Sequence, residues 1–103
     1  VRDSKHQYYF GDELCNGEVL SGNILTGYPD SSMNIFYRMI VKRGTVTFKL
    51  FNPEGELISE FNDWEHIQRT KILNLEKYGK GKYIFKMECE KAEISYDIKI
   101  DVV

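Results

Sequence analysis

The chain is poor in proline and cysteine, has no apolar run of membrane-spanning length and carries no surplus of one charge. Each shortage removes a class of protein. Two prolines in 103 residues exclude a proline-rich spacer. Charged residues interrupt every apolar stretch well short of the ~20 residues a membrane helix requires, so no membrane span is expected. Fourteen Lys and Arg stand against sixteen Asp and Glu, for a net charge of −2. The two signs are interleaved, which leaves no coherent basic face for nucleic acid. Lys77, Lys80 and Lys82 flank two glycines and read as a solvated turn.

Cys15 and Cys89 are too few for a four-ligand zinc cluster, and His6 and His66 do not stand at ligand spacing from them. No metal or other cofactor is expected. The two thiols, far apart in sequence, allow two readings. They meet across the fold in a disulfide that contributes about 4 kcal/mol in the chain-entropy model and favours a home outside the cytoplasm, or they are two small buried apolar residues that never pair. Val1 does not open a positively charged start followed by an apolar core, so any signal sequence or anchor would lie outside these residues.

What is present in abundance is period two. Ile94, Tyr96, Ile98, Ile100 and Val102 alternate with Glu93, Ser95, Asp97, Lys99 and Asp101, as in a strand with one buried and one wet face. Tyr83, Phe85, Met87 and Cys89 form a similar row, and Glu90 to Ala92 is short enough to join the two as an antiparallel hairpin. Asn52-Pro53-Glu54-Gly55 marks another hairpin, because Pro suits the second turn position and Gly the fourth. Val46, Phe48 and Leu50 lead into it, and Leu57, Ile58 and Phe61 lead out. Arg43 and Gly44 separate it from a run through Met33, Ile35, Tyr37, Met39 and Val41 that suits a central strand. Gly17 to Gly27 reads as a strand with Gly22 as a bulge or bend, and Tyr8 to Phe10 as a short edge strand. Gly27 to Ser32 is turn chemistry. Asn62 to Leu75 is read as a loop or single turn leading into a strand at Lys71 to Leu75, since its apolar positions sustain no helical stripe.

At this length one domain, 1–103, with a single core is expected. The fold class is all-β, an antiparallel two-sheet sandwich or jelly roll of seven to eight short strands.

No catalytic residues are expected. His6 falls in a start read as frayed, and His66 lies within Asp63-Trp64-Glu65-His66, a polar turn that faces water. Asp12 and Glu13 show no reason for a raised pKa, and the alternating oxygen ligands of a calcium loop are missing. Seven Tyr, six Phe and one Trp are more aromatics than a small core needs. Rings at Trp64, Tyr28, Tyr78, Tyr8, Tyr9 and Phe10 either cover the ends of the fold or form a platform for a protein or a glycan.

The stretch Gly44 to Val103, with Thr45-Val-Thr-Phe-Lys-Leu-Phe-Asn-Pro-Glu-Gly, Gly81-Lys-Tyr-Ile-Phe and the alternating final strand, resembles small extracellular bacterial β-sandwich accessory modules of the pre-peptidase C-terminal type. It is also similar to small Gram-positive secreted or lipoprotein domains. The Golgi-dynamics sandwich family has a similar order, but its second Cys closely follows the Gly-x-Tyr motif, whereas Cys89 lies well beyond Tyr83; its disulfide is not carried over. The resemblance implies a non-enzymatic, extracytoplasmic or secreted binding or accessory domain that recognises protein or cell-surface material. The alternatives are a carbohydrate-binding module using exposed aromatics and a structural or assembly module. The sequence leaves oligomeric state open.

Overall fold

The computed structural model describes residues 5–26 and 31–103. Five strands make up almost all of it: β1 (Lys5–Thr26), β2 (Ser32–Phe51), β3 (Leu57–Asp63), β4 (Ile67–Asn74) and β5 (Gly81–Val102). A single 3₁₀ turn covers Leu75–Lys77, and no α-helix occurs among the described residues. All pairings are antiparallel, in the order β1-β5-β2-β3, with β4 also on β2.

Three of these strands are far longer than the usual 3–10 residues, and they bend. Tyr37 and Phe48 are eleven positions apart on β2, roughly 36 Å in an extended strand. Their ring centroids nevertheless lie 5.8 Å apart. Strand β2 therefore turns back so that its two halves face each other. The first half pairs with β4, the second with β3, and both pair with β5.

The bend is written in the parity of the buried residues. On β2 the buried positions are Met33, Ile35, Tyr37, Met39 and Val41, all odd, and then Val46, Phe48 and Leu50, all even. On β5 they are Tyr83, Phe85, Met87 and Cys89, then Ala92, Ile94, Ile98, Ile100 and Val102. Irregularities interrupt the β2–β5 ladder between Val41 and Arg43 and between Arg43 and Thr45, and the β1–β5 ladder between Cys15 and Gly17. An extra residue in one strand shifts the alternation while keeping the same face inward. Both halves of each strand thus contribute to one continuous core.

Several expectations are corrected here. There are five strands among the described residues, not seven or eight, because three run through positions read as breaks. Glu90 to Ala92 makes no hairpin: β5 is continuous, and its halves do not pair with each other. Arg43 and Gly44 lie inside β2. The loop before β4 is only Trp64 to His66, and the strand starts at Ile67, since Ile67 and Leu73 supply alternate inward positions. Gly22 is no bulge: it pairs in register with Phe85, and a Cβ there would lie 2.6 Å from the Phe85 ring. His6 is part of β1, not frayed. The Asn52 turn forms as read. Gly55 N donates to Asn52 O at 2.9 Å, and the Asn52 side chain accepts from Glu54 N and Glu56 N.

Gly44 has φ +77, and a Cβ there would meet Lys91 O at 2.4 Å and Glu90 O at 2.5 Å. Gly17 has φ +118 but nothing within 4 Å. Gly44→Ala is therefore expected to destabilise the fold by about 3 kcal/mol or more, and Gly17→Ala by only about 1–2 kcal/mol of backbone strain. Urea unfolding midpoints check this. Equal losses at the two sites would contradict the close approach of β2 to β5.

Candidate functional site

Two features distinguish the surface: a disulfide at the level of the bend, and an aromatic row along β1. Cys15 and Cys89 are joined, with Cα atoms 6.0 Å apart. In register Cys15 opposes Ala92 and Gly17 opposes Cys89, so the bond fastens β1 to β5 beside the break in their ladder. Asn16 Oδ1 accepts from Lys91 N at 3.3 Å, and Lys91 itself has φ 46. A shallow cleft here is lined by Leu14, Cys15, Asn16, Arg43, Lys91 and Ala92. Arg43 in it reaches Glu93 at 3.9 Å.

Strand β1 alternates between two faces. Tyr9 and Cys15 are partly buried against the core, while His6, Tyr8, Phe10, Asp12 and Leu14 are exposed on the other face. Phe10 is 69% and Leu14 71% exposed. Tyr8 and Phe10 have ring centroids 5.2 Å apart, and the Lys99 ammonium lies 5.4 Å from the Tyr8 ring. A hydrogen bond to Asp97, then burial, raises the Tyr8 hydroxyl above its ordinary pKa. His6 Nδ1 and Asp101 Oδ1 are 2.8 Å apart, and Asp12 accepts from the Ser95 hydroxyl. Strand β5 lies along one side of this stretch of β1; among the described residues no strand lies along the other.

The residues singled out as a possible aromatic platform do not converge. Tyr8 is on the outer row with Phe10. Tyr9 points the opposite way, packed edge-on against Phe85 at 5.2 Å, with its hydroxyl bonded to Gln7 Oε1 at 2.5 Å. Trp64, 66% exposed, stands in the β3–β4 turn near the level of the bend. Tyr78, partly buried, caps the 3₁₀ turn beyond the far end of β4. Tyr28 lies outside the described residues. The exposed Leu14 was the missed member, and the alternation of Tyr8, Phe10, Asp12 and Leu14 with Tyr9, Gly11, Glu13 and Cys15 is the signal that reveals it.

A partly buried polar cluster links β3 to β4. Arg69 Nη2 donates to Asp63 Oδ1 at 2.6 Å, with the guanidinium 5.4 Å from the Phe61 ring. The Tyr37 hydroxyl is buried beside this pair, and desolvation, reinforced by the Asp63 charge, drives its pKa far above the ordinary value. The arrangement clamps the β3–β4 turn onto β2. His66 lines an open groove with Arg38, Met39, Ile40, Ile67 and Gln68. Among the described residues no three His, Cys, Asp or Glu gather as metal ligands, and no helix is long and apolar enough to cross a membrane.

No protein-family model matches the chain, and no curated protein matches it in sequence. Solved structures match it in fold. Chains of Bacillus endospore appendages, described as a novel family of disulfide-linked pili, superpose with a TM-score of 0.56 at 10% identity, covering 99% of this chain and 88% of that one. The SPBc2 prophage-derived protein YomS superposes with a TM-score of 0.51 at 9% identity, covering 100% and 97%. These likenesses are to distant all-β proteins and carry the fold alone.

Replacing both cysteines, Cys15→Ala with Cys89→Ala, is expected to cost about 2–4 kcal/mol in unfolding free energy, because the bond closes a long loop in the unfolded chain; an unchanged denaturation midpoint would contradict that role. Alkali acts most strongly through Tyr37, although burial also raises the hydroxyl pKa of Tyr9, Tyr83 and Tyr96. The folded-state pKa of Tyr37 is raised above the ordinary tyrosine value of 10.0, so its stabilising contribution is complete below pH 10.0 and is lost as pH rises above it, where only the unfolded chain ionises readily. Tyr37→Phe is expected to flatten the fall of stability above that pH, measured by unfolding at a series of alkaline pH values.

Proposed function

We propose that this chain is a non-enzymatic structural module that works outside the cytoplasm and joins other protein chains along an open sheet edge. The observation that carries this reading is the outer row of β1, with exposed Tyr8, Phe10 and Leu14 beside backbone that, among the described residues, has a strand on only one side. Unpaired strand edges are templates for an incoming strand, and exposed apolar patches mark interaction surfaces.

The fold proposed to support this role is a two-layer jelly roll. Cutting β1, β2 and β5 at their bends gives six half-strands, which with β3 and β4 make eight. By register, the first half of β1, the second half of β5, the first half of β2 and β4 form one layer. The remaining halves and β3 form the other. The rings of Tyr37 and Phe48 would then meet between layers. The disulfide suits an oxidising compartment. The likeness in fold to appendage chains that form disulfide-linked pili favours assembly over recognition of a sugar. A glycan platform needs convergent rings, and Trp64 and Tyr78 stand on separate turns.

Static light scattering on the oxidised protein over a wide concentration range tests the reading. The mass is expected to rise above that of one chain as concentration increases. A single-chain mass throughout would remove it.

A further inference from the structure

A closed two-fold contact makes a particular demand on a strand: when it pairs antiparallel with its own copy, whatever stands before the central residue must suit whatever stands the same distance after it. Directly opposed residues in such a pair share one face of the sheet. The exposed row of β1 meets this demand about Tyr9. Counting outward from Tyr9, Tyr8 would face Phe10 of the second copy and Phe10 would face Tyr8. One step further on the same face, His6 would face Asp12, and Asp12 would face His6. On the inner face, Gln7 would stand opposite Gly11, a long side chain against none. We infer that His6 to Asp12 of β1 is a self-recognition edge at which two copies of this chain pair antiparallel about Tyr9 and join their sheets into one. This inference rests on the assembly reading above and names its surface and its partner.

The groups along this stretch of β1 are arranged for it. His6 Nδ1–H donates to Asp101 Oδ1, and the imidazolium form carries a second N–H, at Nε2, for the carboxylate of the second copy. The Ser95 hydroxyl occupies Asp12 Oδ1, which leaves Oδ2. The side chain of His6 is 68% exposed, and Tyr8 and Phe10 are 49% and 69% exposed, so none must leave the core to pair. Between His6 and Asp12 the sequence Gln-Tyr-Tyr-Phe-Gly holds no charge. Nothing there repels a second copy. The register is also selective. Sliding the copies by two residues in either direction sets Asp12 or His6 against an aromatic ring and breaks the match of His6 with Asp12, and a parallel pairing would set like residues side by side.

The test uses the whole oxidised chain and four proteins: wild type, His6→Asp, Asp12→Arg, and the two changes combined. Each single change sets like charges or bulky cations against the opposing row at both ends of the contact, and roughly tenfold or greater weakening of the dimer is expected. The combined variant restores opposite charges across the same positions and is expected to associate at least as tightly as wild type. A second variant, Tyr8→Lys with Phe10→Lys, changes only exposed side chains, sets lysine opposite lysine, and is expected to remain folded by circular dichroism yet run as a single chain. Wild type that associates while the single changes and the lysine variant associate equally well would overturn pairing at this edge and leave the assembly reading standing. Wild type that stays a single chain at every concentration would overturn both. Growth of wild type into open polymers instead of a dimer would overturn the closed two-fold contact.

Discussion

The whole structure depends on three long strands bending at one level. Strands β1, β2 and β5 each run past the length at which a flat sheet could bury a single face, and each meets the bend with residues in the left-handed region: Gly17, Gly44 and Lys91, at φ 118, 77 and 46. Because neighbouring strands must bend together or lose their ladder, the irregularities fall beside one another, at Cys15 to Gly17 on β1 and at Val41 to Thr45 on β2. The disulfide lies at that level and ties the edge strand to the central one. Without the bend, the apolar faces of the two halves would look into water. With it, Tyr37, Phe48, Phe61 and Phe85 stack and tilt against one another at 5.2 to 6.1 Å, a geometry that adds to plain burial.

That arrangement explains why the partly buried polar cluster is tolerated. Asp63 ends β3 and Arg69 sits in β4, so one ion pair spans the short turn that carries the chain from the second half of β2 to the first. A charge buried at 4% exposure is costly unless paired, and the partner remains partly open to solvent. The pair contributes positional definition more than net stability: it fixes which turn closes over Tyr37, whose hydroxyl is buried beside it.

The same bend marks where reading the sequence stops. Which residues enter the core was legible almost position by position, since Ile94, Ile98, Ile100 and Val102, and Tyr83, Phe85 and Met87, are all buried as their alternation requires. How the strands connect was not. A change of parity between Cys89 and Ala92 has the same pattern whether the chain reverses in a hairpin or carries an extra residue through a bend, because both consume a residue or two without a buried side chain. Arg43-Gly44 is ambiguous for the same reason. Only the partner strand decides, and Gly44 does so through the nearness of Lys91 and Glu90 carbonyls, a contact of distant sequence origin. The aromatic rings suffered from a different ambiguity. Tyr8, Tyr9 and Phe10 are consecutive, and composition cannot say which of them faces inward until the parity of β1 is fixed by its pairing with β5.

The edges show that exposure on β1 is not general carelessness with sheet margins. Strand β4 is an edge of 8 residues whose outward positions are Gln68, Thr70, Ile72 and Asn74, so that one exposed apolar side chain, Ile72, stands among polar neighbours, with Lys71 in its length. Strand β3 is an edge of 7 residues with Glu60 in its middle and the Arg69–Asp63 pair at its end. Shortness and charge are the ordinary means by which soluble β proteins discourage unwanted pairing. Strand β1 uses neither over its first half: it is 22 residues long, and the stretch from Gln7 to Gly11 carries two tyrosines, a phenylalanine and no ionised group. Its charges are confined to the two ends of that stretch. Acidic groups there, at Asp12 and Glu13, deter a partner with acids at the corresponding positions while leaving the aromatic centre open to one that offers a base. An edge built in this way selects among incoming strands instead of excluding them, and that distinction separates it from the two other edges of the same sheet.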